Sequence, residues 1–256
     1  MALTKWNQVK KSTKSNFITF SIVIGFYIVV QLLAAAGVLT NSFSGQLVPI
    51  CAYVILAVSL NLTVGILGEL SLGHAGFMSV GAFSGTLVYV VLRETAPQPL
   101  AMLLAFVVGG VVAGLFGFLV GIPVLRLSGD YLAIVTLGFG EIVRLVLLNW
   151  TSLTGGSGGI KNIPGPSFFG QELEIAANTI FIYYLVLLAV ILTIIVISRL
   201  KNSRVGLALQ ALREDEIACE AMGIDLARVK LSAFALSSCW AGFAGVIFAA
   251  KTTFIN

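Results

Sequence analysis

Long apolar runs alternate with short polar segments along almost the whole chain. Each run holds about 18 to 23 residues, and a helix rising ~1.5 Å per residue needs about 20 residues to cross the ~30 Å hydrocarbon layer of a membrane. The pattern therefore predicts an all-α, polytopic membrane protein with about seven spans in this chain. The predicted spans are residues 17–39, 47–67, 75–92, 100–122, 131–148, 176–198 and 231–250.

Residues 1–16 are polar and basic and precede the first apolar run. The same combination occurs in secretory signal peptides, and Ala34-Ala35-Ala36 is compatible with a cleavage site. Because the apolar run is longer than a usual signal-peptide core, we expect an uncleaved first span. The expected organisation is a cytoplasmic N-terminal segment over 1–16 followed by a transmembrane domain over 17–256.

Composition and charge agree with this reading. Hydrophobic residues make up 58% of the chain and charged residues only 10%, which excludes an ordinary soluble enzyme. With the N-terminus inside, eleven of the 15 Lys and Arg residues fall on inner segments, three on outer segments, and Arg144 within a span. By the positive-inside rule this asymmetry predicts a cytoplasmic N-terminus. We therefore attribute the net charge of +4 to the orientation of the chain in a lipid membrane, and no nucleic-acid partner is expected.

Residues 199–230 form the one long charge-dense segment, with eleven of the 26 charged residues. Asn202 or Ser203 can cap a helix here, Gly223 is placed for a left-handed helix end, and Asp225 can cap the next helix. The charged run 213–216 interrupts the apolar stripe, so either one helix or two short helices joined by an acidic elbow fits. A helix lying on the lipid surface is the alternative, and its acidic centre argues against it.

Polar residues within spans are few, and they are functional candidates because an unpaired polar group is costly in hydrocarbon. One group lies in 61–77, where four glycines predict that the helix unwinds or turns sharply. A second group lies in the fifth span, where Glu141 and Arg144, three residues apart, can form an ion pair. This pair fits either a structural role or the lining of a pathway. The tentative pathway candidates are Asn61, Thr63, Ser71, His74, Thr136, Glu141 and Arg144.

Several further patterns limit the chemistry. The glycines at 110, 114, 117 and 121 share one helix face and predict close helix packing. The three cysteines have neither disulfide nor zinc spacing, and no metal site is expected. The glycine-rich run 155–161 lacks the Gly-Lys-Ser/Thr ending of a phosphate loop, so no nucleotide site is expected in this chain.

Three runs carry a family resemblance. They are NLTVGILGELSLGHAGF (61–77), GDYLAIVTLGFGEIVRLVLLNWTSLTGGSGGI (129–160) and SRVGLALQALREDEIACEAMGIDLARVKLSAFALSSCWAGFAGVIFAA (203–250). Together they resemble the M-type membrane subunit of branched-chain amino-acid ABC importers, a family that includes urea and amide permeases. The resemblance covers residues 47–250, and family members usually continue with further spans past the position of Phe254.

The resemblance implies a type II importer permease in the inner membrane that moves branched-chain or other hydrophobic amino acids inward. Its implied partners are two ABC ATPases that bind ATP and Mg, a second homologous permease and an extracytoplasmic binding protein. No cofactor and no enzymatic activity are expected in this chain. The resemblance places coupling to the ATPase on Arg213, Glu214, Asp215, Glu216, Glu220, Ala221 and Gly223.

Two alternatives stay open. An importer for urea, amides or another small solute fits the same residues, since an apolar pathway does not select the substrate. A secondary transporter or channel of another class would use Glu141, Arg144 and His74 as an ion site of its own. Dependence of transport on an ATPase separates this second alternative from an importer.

Overall fold

The computed structural model describes residues 41–93, 95–127, 129–160 and 175–252, together with positions 21, 25 and 29. The predicted N-terminal segment 1–16 lies outside the described residues. Of the predicted first span, 17–39, only positions 21, 25 and 29 are described. The last four residues, including Phe254, also lie outside the described residues.

The described elements are helical. We number the α-helices α1 (Asn41–Asn61), α2 (His74–Leu92), α3 (Gln98–Val124), α4 (Asp130–Asn149), α5 (Thr151–Thr154), α6 (Ile175–Lys201), α7 (Arg204–Glu214), α8 (Glu216–Ala221) and α9 (Leu226–Thr252). A π-helical turn, Leu62–Leu67, continues α1, and a 3-10 turn, Gly156–Gly158, follows α5. The prediction of an all-α polytopic fold is confirmed.

Five segments of the described part are long and apolar enough to cross a membrane: Gly45–Leu67, His74–Leu92, Leu100–Val124, Asp130–Asn149 and Leu226–Thr252. They match the predicted spans 47–67, 75–92, 100–122, 131–148 and 231–250 to within a few residues. Helix α6 covers the predicted span 176–198, and its part Val186–Lys201 meets α7 at a 69° bend. The largest difference is at α9, which begins five residues earlier than expected, so Lys230 is a helical residue.

Helices α2, α3 and α9 form the core of the bundle, where small residues let backbones approach closely. A Cβ at Gly81 of α2 would lie 2.6 Å from the carbonyl oxygen of Gly242 in α9. The four glycines of α3 predicted to share a face all lie against α9, next to Phe243, Cys239, Ser238 and Leu231 respectively. The predicted close packing is confirmed, because Gly and Ala replace large side chains at these contacts.

Alanine at Gly81 is expected to destabilise the bundle, because its methyl group would overlap backbone atoms of Gly242 that cannot move independently. Overpacking of this kind costs about 1–3 kcal/mol. Gly138 in α4 is a matched control, because a Cβ there meets nothing within 4 Å. Alanine is favoured over glycine in a helix by up to about 1 kcal/mol. Thermal unfolding in detergent should therefore show a lower Tm for Gly81→Ala and an equal or higher Tm for Gly138→Ala; equal Tm losses in both would contradict the packing.

Candidate functional site

Residues 68–73 form an irregular connection, which we call the 68–73 turn. Gly68 ends the π-helical turn with a left-handed backbone (φ 86°), and its N–H donates to the carbonyl oxygen of Thr63. The backbone stays non-helical until α2 begins at His74. The predicted unwinding within 61–77 is therefore confirmed. Non-helical backbone next to the hydrocarbon layer is tolerated only where protein or water covers it.

The 68–73 turn packs against helix α4. The backbone N–H of Leu72 donates to Thr136 Oγ1 at 3.1 Å. Gly73 lies so close to α4 that a Cβ would overlap the carbonyl oxygen of Thr136. Only glycine leaves room for this approach, so the turn and α4 are in direct backbone contact.

Helices α7 and α8 form the charged segment between α6 and α9. Ser203 caps α7 by accepting from the N–H of Gly206 at 3.2 Å, and Asp215 caps α8 by accepting from the N–H of Ala218 at 3.0 Å. Gly223 follows with φ 81°, and Asp225 accepts from the N–H of Arg228 at the start of α9. Of the two arrangements left open by the sequence, the structure shows two helices joined at an acidic elbow.

All seven predicted coupling residues are exposed on this helix pair: Arg213, Glu214, Asp215, Glu216, Glu220, Ala221 and Gly223. Two large apolar side chains lie among them, Ile217 at 81% and Met222 at 82% exposure. Sequence reasoning did not select Ile217 or Met222 as site residues, because alternation of apolar and charged residues is ordinary in amphipathic helices. An apolar patch edged by charges is typical of a protein-binding surface. We call residues 213–223 the α7–α8 surface.

The α7–α8 surface is joined both to the π-helical turn and to the 68–73 turn that follows it. Arg213 Nη1 donates to the carbonyl oxygen of Gly65 at 2.6 Å. Lys230 Nζ lies 2.6 Å from Glu69 Oε1 and 2.7 Å from Glu216 Oε1. We call Lys230, Glu69 and Glu216 the lysine node. No sequence pattern identifies Glu69 and Lys230 as partners, since they are far apart in the chain.

The lysine node is largely buried. Only 7% of the Lys230 side chain and 10% of the Glu69 side chain are exposed, whereas Glu216 is about half exposed. Burial raises the pKa of the Glu69 carboxyl, and the hydrogen bond from Lys230 opposes this only in part. Glu69 Oε2 is buried without a hydrogen-bond partner among the described residues. The carboxylate therefore depends on Lys230 for its charge compensation.

A cavity of about 330 Å³ opens beside the lysine node. It lies between the 68–73 turn, the start of α4 and the α7–α8 surface. Its lining includes the side chains of Glu69, Asp130, Arg213, Glu214 and Glu216. The sequence predicts these three connections on one side of the membrane, and the structure brings them together.

A buried chain of hydroxyl groups runs through the bundle and contains two of the predicted pathway residues. His74 Nε2 lies 2.8 Å from Ser59 Oγ, and Thr63 Oγ1 lies 3.0 Å from Ser237 Oγ. Ser237 Oγ in turn donates to the carbonyl oxygen of Ser59 at 2.6 Å. These groups link α1, its π-helical continuation, α2 and α9 inside one chain, with His74 hydrogen-bonded and 5% exposed.

The other pathway candidates lie elsewhere. Asn61 is exposed at the end of α1, and Ser71 is buried in the 68–73 turn with no hydrogen-bond partner for its hydroxyl among the described residues. Thr136 is buried and donates to the carbonyl oxygen of Ala133. The structure therefore does not bring all seven candidates to one place, and their role in a pathway stays a prediction.

Glu141 and Arg144 form the expected ion pair on α4, with Arg144 Nε 2.9 Å from Glu141 Oε2. Both side chains are more than half exposed. Only 22% of the α4 span is buried, against 67% of the α9 span. Glu141 lies near the middle of the span and Arg144 about one turn closer to its C-terminal end, on a face that the described residues leave uncovered. In the described ranges no three His, Cys, Asp or Glu side chains are grouped for a metal ion.

Apolar spans, with a polar helix pair between two of them, define a multi-pass membrane protein. Residues 42–256 match the family described as branched-chain amino acid transport system / permease component. The chain belongs to this family, as its sequence motifs predicted.

Curated relatives agree with the family. The chain is 45% identical to the high-affinity branched-chain amino acid transport system permease proteins LivM of Salmonella typhimurium and of Escherichia coli, over 80% of this chain and 51% of each relative. It is 26% identical to the probable branched-chain amino acid transport permease protein LivM of Methanocaldococcus jannaschii, over 78% of this chain and 65% of the relative. The chain thus spans about half the length of the two bacterial relatives. No solved structure matches it.

Proposed function

We propose that this chain is the membrane-spanning subunit of an ATP-driven importer for branched-chain or other hydrophobic amino acids. The observation that carries the proposal is the α7–α8 surface, where Ile217 and Met222 are almost fully exposed among acidic residues. Such a patch favours a protein partner. The family and the names of the relatives favour an ATPase of an amino-acid transport system as that partner.

The proposed assembly contains two ABC ATPases, which bind ATP and Mg, and an extracytoplasmic binding protein that delivers the substrate. The basic residues of 199–230 favour an orientation with the α7–α8 surface in the cytoplasm. The same rule favours a cytoplasmic N-terminus, in the inner membrane of the cell. The acidic elbow at Asp215 also fits contact with a protein better than contact with anionic lipid.

Helix α4 supports a second, homologous permease as a further partner. Glu141 and Arg144 are exposed near the middle of the span, where facing lipid would be costly. A second permease that covers these side chains, or a water-filled pathway between the two permeases, removes that cost. We infer that α4 faces the pathway and that Glu141 and Arg144 line it.

The mechanism that follows is alternating access. ATP binding closes the ATPases, the α7–α8 surface moves with them, and the two permeases open to the other side of the membrane. A ligand shifts such an equilibrium only through contacts that differ between the two states. The α7–α8 surface supplies these contacts, and Glu214, Asp215, Glu216 and Glu220 provide charges that a partner can recognise.

Reconstitution tests the proposal. The permease pair, the ATPases and the binding protein are placed in proteoliposomes, and uptake of radiolabelled leucine is measured with ATP. We expect uptake only when ATPase and ATP are both present. Uptake of leucine by the permeases alone, driven by an ion gradient, would contradict the proposal and favour the secondary transporter. ATP-driven uptake of urea or an amide without leucine uptake would keep the importer and change its substrate.

A variant of the elbow tests the coupling role in the same system. Asp215→Arg removes the cap of α8 and reverses a charge on the α7–α8 surface. Uptake should fall by about tenfold or more, since a lost cap and a repulsive contact together exceed ~1.4 kcal/mol. Asp215→Asn is the control, because it keeps a side chain that can cap a helix. Uptake by Asp215→Arg equal to that of Asp215→Asn would count against a charge-dependent contact.

A further inference from the structure

Lys230 occupies a position that the proposed function alone does not explain. It is 6% exposed, and one ammonium group joins carboxylates from two separate elements, Glu69 in the 68–73 turn and Glu216 in α8. A buried lysine retains its charge only where such partners compensate for the lost hydration. Its backbone belongs to a third element, helix α9, which is the most buried of the five spans.

Continuous contacts lead from this lysine to the span with the charged pair. Glu69 lies in the 68–73 turn, three residues before Leu72. Leu72 donates its N–H to Thr136 of α4, and Gly73 lies against the backbone of Thr136. Thr136 precedes Glu141 by little more than one helical turn. The links between elements are an ion pair, a hydrogen bond and a close backbone contact, and within the turn and within α4 the chain itself connects them.

We propose that Lys230 is a positioning residue that transmits displacement of the α7–α8 surface to the 68–73 turn and, through Thr136, to helix α4. This inference rests on the proposed function. Separating Lys230 from Glu69 would leave two poorly compensated buried groups, and the same ammonium also pairs with Glu216, so a displacement of α8 is passed to the 68–73 turn. Arg213, bound to the carbonyl oxygen of Gly65, holds α7 to the same region.

The test uses the complete reconstituted complex and the number of leucine molecules transported per ATP hydrolysed. Lys230→Met keeps the length of the side chain and removes its charge. We expect the transport ratio to fall by about fivefold or more, the lower range of measured couplings between sites, with ATPases still bound and hydrolysing ATP. Lys230→Arg should restore the ratio, because it keeps two charged hydrogen bonds.

A second variant separates transmission from folding. Lys230→Met leaves Glu69 buried without its cation, which can lower the amount of folded protein. The double variant Lys230→Met, Glu69→Gln removes this charge, and Glu216 is half exposed and stays hydrated. It should assemble at the wild-type level and still show the low ratio. A loss of ATP hydrolysis and transport in proportion, with the ratio unchanged, would show a purely structural role and overturn the inference.

Failure of the proposed function and failure of transmission through Lys230 give different results in these experiments. If wild-type complex shows no ATP-dependent uptake, the proposed function itself is wrong. If wild-type complex is coupled and the double variant transports as much per ATP as wild type, the proposed function stands and transmission through Lys230 is refuted.

Discussion

Replacing Ile217 by aspartate is expected to lower ATP-driven uptake about tenfold or more while the membrane bundle stays folded. The side chain is 81% exposed, so its loss changes the free energy of unfolding of the subunit by no more than about 0.5 kcal/mol. Burial of an isoleucine against a partner contributes about 1.5–3 kcal/mol. The added carboxylate also lies near Asp215, Glu216 and Glu220, which makes the new charge harder to bury.

The measurement is the amount of ATPase that remains on affinity-purified permease, together with the uptake rate. Both should fall by about tenfold or more, since ~1.4 kcal/mol corresponds to a factor of ten in binding. Ile217→Leu is the matched control, because it keeps the apolar volume, and it should behave like wild type. Retention of ATPase by Ile217→Asp at the level of Ile217→Leu would show that the patch binds something else.

The second large effect is expected at Glu141 and Arg144. Arg144→Leu leaves the Glu141 carboxylate unpaired near the middle of α4, where a charged side chain costs about 2.5–3.5 kcal/mol. Folded, monodisperse protein and uptake should both decrease several-fold. The double variant Glu141→Leu, Arg144→Leu has no charge to bury, so the yield of folded protein should recover.

Uptake by the double variant distinguishes the two roles that the sequence left open. If the pair lines the pathway, removing both charges changes the polarity of that pathway, and uptake stays low although the protein folds. We expect this result because the pair lies on a face that the described residues leave uncovered. Wild-type uptake by the double variant would show that the pair is structural.

Much of the fold follows from local sequence signals. The length of each apolar run predicts a span, and Ser203, Asp215, Gly223 and Asp225 mark helix ends by their own capping chemistry. The glycine spacing in α3 predicts its packing face, since glycines at three- and four-residue steps let a neighbouring helix approach closely. The sequence does not show which face of a span packs inside the bundle and which face is exposed, because these helices are apolar on every face.

The contacts that join the site could not be predicted from the sequence. In the sequence, Lys230 is one of several positive residues and stands at the end of a charged segment. Glu69 is a polar residue between glycines. They meet because α9 packs through the centre of the bundle and brings its first turns to the 68–73 turn. The partner of His74 could not be predicted either. From the sequence alone His74 fits a packing or a transport role, and the structure shows that it hydrogen-bonds with Ser59. Long-range pairs depend on the packing of whole helices.

Cysteine labelling tests most directly whether the α7–α8 surface is cytoplasmic and held by an ATPase. Glu220→Cys is introduced where Cys51, Cys219 and Cys239 have been replaced by alanine, and a membrane-impermeant maleimide is applied. We expect no labelling in intact spheroplasts, labelling in inverted vesicles stripped of ATPase, and protection when ATPase is added back. Thr95→Cys, between α2 and α3, should show the opposite sidedness. Labelling of Glu220→Cys in intact spheroplasts would show that the α7–α8 surface is not cytoplasmic, and no protection by ATPase would show that the ATPase does not bind there.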